Sequence, residues 1–137
     1  MIIKTNQENI TEVIAYLKSI IDSDSLILLQ GDLASGKTTL VKEYVKSLGI
    51  DTQVTSPTFS LQQIYKSDID TIYHYDLYNK SLEEFMALGL IEEFENSGLH
   101  FVEWADDRLK EILVEFGYDV ITIKIEKLEN SRIYDIK

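Results

Sequence analysis

Apolar residues along this chain switch between helical and extended spacing, and the switches divide it into elements. From Ile10, the positions Val13, Ile14, Leu17 and Ile21 form one stripe three and four apart. That stripe predicts an amphipathic helix over about Asn6–Ile21, opened by a Thr5/Glu8 capping box. Leu26-Ile27-Leu28-Leu29 is continuously apolar, as in a buried parallel strand, here over Ser25–Gln30. Leu40, Val41, Tyr44, Val45 and Leu48 return to helical spacing over Lys37–Leu48, with Gly49 as the stop. Strands follow at Thr58–Tyr65 and Thr71–Tyr75, joined by a polar turn. A Ser81/Glu84 capping box opens a short helix that Gly89 ends, and a second helical piece covers Ile91–Asn96. Leu99–Val102 reads as a buried strand ending in Glu103, and Ala105–Leu113 as a helix. Ile121, Ile123 and Ile125 then alternate with Thr122, Lys124 and Glu126. With Arg132–Ile136 they predict an antiparallel hairpin with one wet face. The elements sum to an α/β three-layer sandwich around a mixed, mostly parallel sheet with added antiparallel β-hairpins.

Between the first strand and the second helix stands Gly31-Asp32-Leu33-Ala34-Ser35-Gly36-Lys37-Thr38, a complete G-x-x-x-x-G-K-[ST] phosphate-binding loop. Backbone N–H groups of such a loop wrap a β-phosphate. The lysine reaches the β and γ oxygens, and the threonine hydroxyl holds Mg²⁺. The helix that follows points its positive end at the same phosphates. Strand, glycine loop and helix stand in the order the motif requires, so the expected fold is P-loop NTPase-like.

At 137 residues the expectation is one domain, residues 1–137. An apolar content of 45% is ordinary for a globular core and excludes disorder. No apolar stretch reaches the length of a membrane span, and the N-terminus lacks the pattern of a signal peptide. With no cysteine there is no disulfide framework or thiolate metal site, and a cytoplasmic location is expected. Thirteen basic against 24 acidic residues leave a net charge of −11, poorly suited to gripping a nucleic-acid backbone. Direct DNA binding is not expected, and any RNA would be carried by another chain. The acidic surface suits either solubility or docking onto a basic protein.

A phosphate loop needs a further carboxylate on the metal side, at the end of a neighbouring strand. Two acids qualify. Glu103 ends the more apolar run and fits a central strand. Asp76 ends Thr71-Ile72-Tyr73-His74-Tyr75, a less apolar strand that suggests an edge nearer solvent. Either carboxylate could instead be a helix cap or a surface ion pair. His74 and His100 read as packed histidines without metal-ligand company, so no zinc site is expected. Trp104, the single tryptophan, either packs or serves a functional surface. Guanine-reading GTPases carry [NT]-K-x-D, and Asn79-Lys80-Ser81-Leu82 lacks the aspartate. Small-molecule and nucleotide kinases need several arginines around the transferred phosphoryl, whereas this chain has only Arg108 and Arg132. The residues favour an ATPase, slow on its own, over a small phosphotransferase (kinase) or a nucleotide-gated binding module.

Five blocks carry a family resemblance: the loop through Thr39, Thr55-Ser56-Pro57-Thr58-Phe59, His74-Tyr75-Asp76-Leu77-Tyr78, Leu88-Gly89-Leu90 and Val102-Glu103-Trp104. On these the chain resembles the TsaE (YjeE) family, the ATPase component of bacterial tRNA threonylcarbamoyladenosine synthesis, over nearly its whole length. The resemblance implies binding of ATP or ADP with Mg²⁺ and association with the TsaB–TsaD complex, which modifies adenosine 37 of tRNA. Contact with tRNA would be indirect, through that complex. It implies nucleotide contacts from Gly31, Ala34, Ser35, Gly36, Lys37, Thr38 and Thr39, with Gln7 and Arg132 near the base. Lys37, Asp76 and Glu103 would be the catalytic residues. Thr38 and Glu103 would hold Mg²⁺, with Asp76 as a second metal-side acid. Thr58 would belong to a switch-like segment near the γ-phosphate. Three departures stand out: Ala34 replaces a usual glycine, Asn79 a common arginine and Ala105 a usual proline.

Overall fold

A computed structural model describes residues 1–6, 9–22, 24–54 and 61–137. Its strands are β1 (Ile2–Asn6), β2 (Leu26–Gln30), β3 (Gln62–Lys66), β4 (Thr71–Asp76), β5 (Leu99–Glu103), β6 (Val120–Lys127) and β7 (Ser131–Ile136). Helices are α1 (Thr11–Ile20), α2 (Lys37–Ser47), α3 (Leu82–Ala87) and α4 (Asp107–Glu115), with a 3₁₀ turn at Glu92–Glu95. All seven strands of the described residues join one sheet in the order β1-β7-β6-β2-β5-β4-β3. The inner four, β6-β2-β5-β4, are parallel, and the outer pairings are antiparallel.

Each face of the sheet buries its own set of side chains. Ile27, Leu29, Phe101 and Ile123 pack with Val13, Leu17, Leu40 and Val41 under α1 and α2. Leu26, Leu28, Tyr75 and Val102 pack with Phe85, Phe94, Leu109 and Leu113 under α3, the 3₁₀ turn and α4. Helices therefore cover both faces, as a parallel sheet requires. This is the expected α/β sandwich. The uninterrupted apolar run of β2 is explained by its central place, with all of Leu26–Leu29 fully buried.

Four expectations change. Thr5 does not cap a helix: it lies in β1, which alternates exposed and buried residues and pairs antiparallel with β7. The helix begins at Thr11 with no side-chain cap on Ile10, so the apolar stripe is right and its start is not. Glu8 lies outside the described residues, as do residues 58–60 of the strand predicted over Thr58–Tyr65; the observed β3 runs Gln62–Lys66. The helix expected from Ala105 starts at Asp107, because the Asp106 carboxylate accepts from Leu109 N–H at 2.9 Å and caps it. Nor are the hairpins wholly additions. The inner strand of each, β4 or β6, belongs to the parallel core, and β4, expected near an edge, has Ile72–Asp76 all buried. The Ser81/Glu84 capping box and the Gly49 stop stand as predicted.

Candidate active site

β2, β4 and β5 run parallel, so Gln30, Asp76 and Glu103 finish at one end of the sheet, where ligands gather in folds of this type. The loop from Gly31 to Gly36 leaves β2 there and feeds α2. Two glycines are needed for its shape. At Gly31 (φ +151°) a β-carbon would stand 2.6 Å from Ser35 Oγ and 2.7 Å from Ile125 O. At Gly36 (φ +113°) it would stand 2.7 Å from Nη1 of Arg132. Lys37 folds back into the loop. Its ammonium donates to Gly31 O at 2.7 Å and Asp32 O at 2.9 Å, and lies 4.0 Å from the centre of the Trp104 ring. Burial lowers its pKa, opposed by the charges of Glu103, Asp76 and Asp32.

The two acids sit side by side, because Asp76 and Glu103 are register partners on β4 and β5. The Thr38 hydroxyl donates to Glu103 Oε2 at 2.8 Å and Oε1 at 3.1 Å. Asp76 is buried and accepts the Tyr78 N–H at 2.8 Å. Lys37, Thr38, Asp76, Glu103, Trp104 and Arg132 all line one cleft of about 420 Å³, along with Ala34, Ser35, Gly36 and Thr39. Arg132 is buried, and its Nε has no hydrogen-bond partner among the described residues. Trp104 holds a left-handed backbone (φ +63°), which turns its ring onto Lys37 and Tyr78, the latter at 5.0 Å between centroids. Gln7 and Thr58 lie outside the described residues.

This donor set fits a nucleotide phosphate with a hard divalent cation. Loop N–H groups, one ammonium and the Arg132 guanidinium share the cleft with two carboxylates and a hydroxyl. Among the described residues no group of three His, Cys, Asp or Glu forms a protein-only metal cage. The Thr38 hydroxyl beside the Glu103 carboxylate suits Mg²⁺, which takes one or two protein oxygens and completes its shell with phosphate and water.

The family model described as "Threonylcarbamoyl adenosine biosynthesis protein TsaE" matches residues 4–134. The chain belongs to the TsaE family. A tRNA threonylcarbamoyladenosine biosynthesis protein TsaE of Rickettsia felis is 39% identical over 99% of this chain and 78% of the relative. One of Treponema pallidum is 37% identical over 82% and 80%. The crystal structure of Bacillus subtilis YdiB superposes with a TM-score of 0.60 at 27% identity, covering 98% of this chain and 84% of that one. The family is one of tRNA threonylcarbamoyladenosine biosynthesis, and its fold is the one expected.

Two departures from the usual TsaE pattern sit in left-handed backbone, Ala34 at φ +59° and Asn79 at +58°. Asparagine tolerates that region; alanine is strained there. Sequence reasoning missed His74 as a site residue. Its ring is fully buried, with Nε2 2.5 Å from Glu103 Oε2. A signal existed: His74 lies two residues before Asp76, so strand alternation puts both on one face. His100, by contrast, is the expected satisfied interior histidine. It is bonded to Asn96 O at 2.9 Å and Tyr75 Oη at 2.7 Å, and burial lowers its pKa.

Proposed function

We propose that this chain, as one domain, is a Mg²⁺-dependent ATP-binding protein and slow ATPase. It acts with the TsaB–TsaD complex in threonylcarbamoylation of adenosine 37 of tRNA, in the cytoplasm. The observation that carries the ATPase reading is the Thr38–Glu103 contact of 2.8 Å in the same cleft as Lys37. A hydroxyl and a carboxylate paired at the mouth of a phosphate loop are the oxygen ligands a nucleotide-bound Mg²⁺ takes.

In this reading the loop from Gly31 to Thr39 binds the phosphates, and Lys37 exchanges its two carbonyl partners for phosphate oxygens. Thr38 and Glu103 hold Mg²⁺, which, when bound, neutralises charge on the phosphates. Asp76, fixed by its bond to Tyr78 N–H, is the second acid and orients water for hydrolysis. Arg132, close over Gly36 and with an Nε that has no partner among the described residues, is available to the nucleotide. The net charge of −11 supports contact with tRNA through partner proteins only.

The test is Mg²⁺-dependent ATP hydrolysis, alone and with purified TsaB–TsaD, with Lys37→Ala as control. A low rate that rises with the pair and vanishes in the variant is expected. No stimulation would refute the partnership, and transfer of labelled phosphate to a metabolite instead of water would favour a kinase.

A further inference from the structure

Behind Glu103 lies a line of buried polar groups that the scheme above does not use. Oε2 of Glu103 meets Nε2 of His74 at 2.5 Å. On the other side of the ring, Nδ1 faces Tyr65 Oη at 3.2 Å, and the same hydroxyl lies 2.5 Å from the Gln63 amide. The line starts on β3 at the sheet edge, passes through β4 and ends on β5 at the carboxylate shared with Thr38. His74 is fully buried and Tyr65 is 5% exposed. An ionised carboxylate only accepts, which assigns the proton to Nε2 and leaves Nδ1 to accept from the Tyr65 hydroxyl.

The two donors to Glu103 among the described residues differ in kind. Thr38 belongs to the phosphate loop, where its hydroxyl is also the group suited to a metal. His74 belongs to the sheet and is fully buried. A carboxylate held by the loop alone would turn whenever Thr38 changed partner, whereas a donor on a rigid strand keeps it aimed. His100 shows what a merely packed histidine looks like here: its two nitrogens bond a backbone carbonyl and the Tyr75 hydroxyl, and its ring stacks on Tyr73 at 4.5 Å.

We propose that His74 is a positioning residue for Glu103, supported from edge strand β3 by Tyr65. This rests on the ATPase reading of the cleft, but part of its test does not.

The variants are His74→Ala, His74→Gln, Tyr65→Phe and, as a control, His100→Gln. In partner-stimulated hydrolysis, His74→Ala is expected to lower kcat at least tenfold with KM for ATP within threefold. His74→Gln, whose amide nitrogen reaches the place of Nε2, recovers at least half of the loss on a logarithmic scale. Tyr65→Phe lowers kcat two- to fivefold, and His100→Gln leaves kcat unchanged. ATP affinity without Mg²⁺ stays within twofold throughout. In the nucleotide-free protein, the imidazole N–H spectrum shows a strongly downfield Nε2 proton that shifts in Glu103→Gln. An unchanged kcat in His74→Ala, equal losses in the Ala and Gln variants, or an Nε2 proton indifferent to Glu103→Gln would each overturn the proposal. Should His74→Ala fail to fold, His74→Gln and Tyr65→Phe carry the kinetic test. Should the wild type hydrolyse no ATP under any condition, the ATPase reading falls, while the spectrum still decides the His74–Glu103 bond.

Discussion

Replacing Glu103 by alanine separates binding from chemistry. The carboxylate is buried and accepts from Thr38 and His74. Without it, the Thr38 hydroxyl still faces the cleft, where water can replace the lost acceptor. His74 Nε2 has no such substitute, and an orphaned buried donor costs roughly 1–3 kcal/mol. Removing a buried carboxylate also removes its own desolvation penalty, so this is an upper bound. At about 2.1 cal/mol/K of unfolding entropy per residue, the chain has a slope of roughly 0.3 kcal/mol/K. The melting temperature should then fall by at most about 10 °C, leaving a folded protein at assay temperature. Glu103 is also the foremost charge opposing the burial of Lys37, so its loss pushes the lysine pKa further down. Loop contacts to the phosphates survive, and hydrolysis should drop at least about a hundredfold, near 2.7 kcal/mol of barrier. The assay is steady-state ATP hydrolysis with the partner pair, alongside calorimetric titration of ATP with and without Mg²⁺. Turnover within threefold of wild type, or a loss confined to KM, would remove Glu103 from the mechanism.

Ala34→Gly should stabilise the protein. The left-handed φ of +59° costs alanine about 1–2 kcal/mol, and glycine gives back roughly 0.5–1 kcal/mol in chain entropy. A rise of about 2–3 °C in scanning calorimetry is expected; no rise would mean the loop relaxes around alanine. Trp104→Ala, which strips the ring from Lys37 and Tyr78, should reduce partner-stimulated hydrolysis at least fivefold while moving the melting temperature by less than about 3 °C. A large thermal loss with stimulation intact would make the ring a packing element. Burial lowers the pKa of His100, so below the ordinary histidine value near 6.5 the unfolded chain takes up a proton that the folded one refuses. Stability should therefore fall with falling pH from that value, by up to about 1.4 kcal/mol per unit for this group. The melting-temperature difference between pH 7.5 and 5.5 should shrink in His100→Gln, and an equal difference would refute the assignment.

Features written in contiguous residues were legible from the chain alone. The phosphate loop, its flanking β2 and α2, the Ser81/Glu84 cap and the strand-end position of Glu103 each depend on neighbours a few residues apart. The TsaE blocks are local in the same sense. The order of strands is not local, and three misjudgements trace to it. β1 is a strand only by pairing with β7 at the far end of the chain, so residues 2–4 predict no element and Thr5 and Asn6 read as the start of the helix that follows. β4 looked like an edge because its tyrosines and histidine are amphipathic, yet β3 covers it and makes it interior. His74 looked inert because its acid lies 29 residues away. The Thr38–Glu103 contact spans 65 residues, and Arg132 reaches Gly36 from the last strand. Local sequence determines which elements form and which residue types stand at their ends. Only the packing of the sheet decides which ends meet, because pairing energy comes from contacts between distant segments that no short window contains.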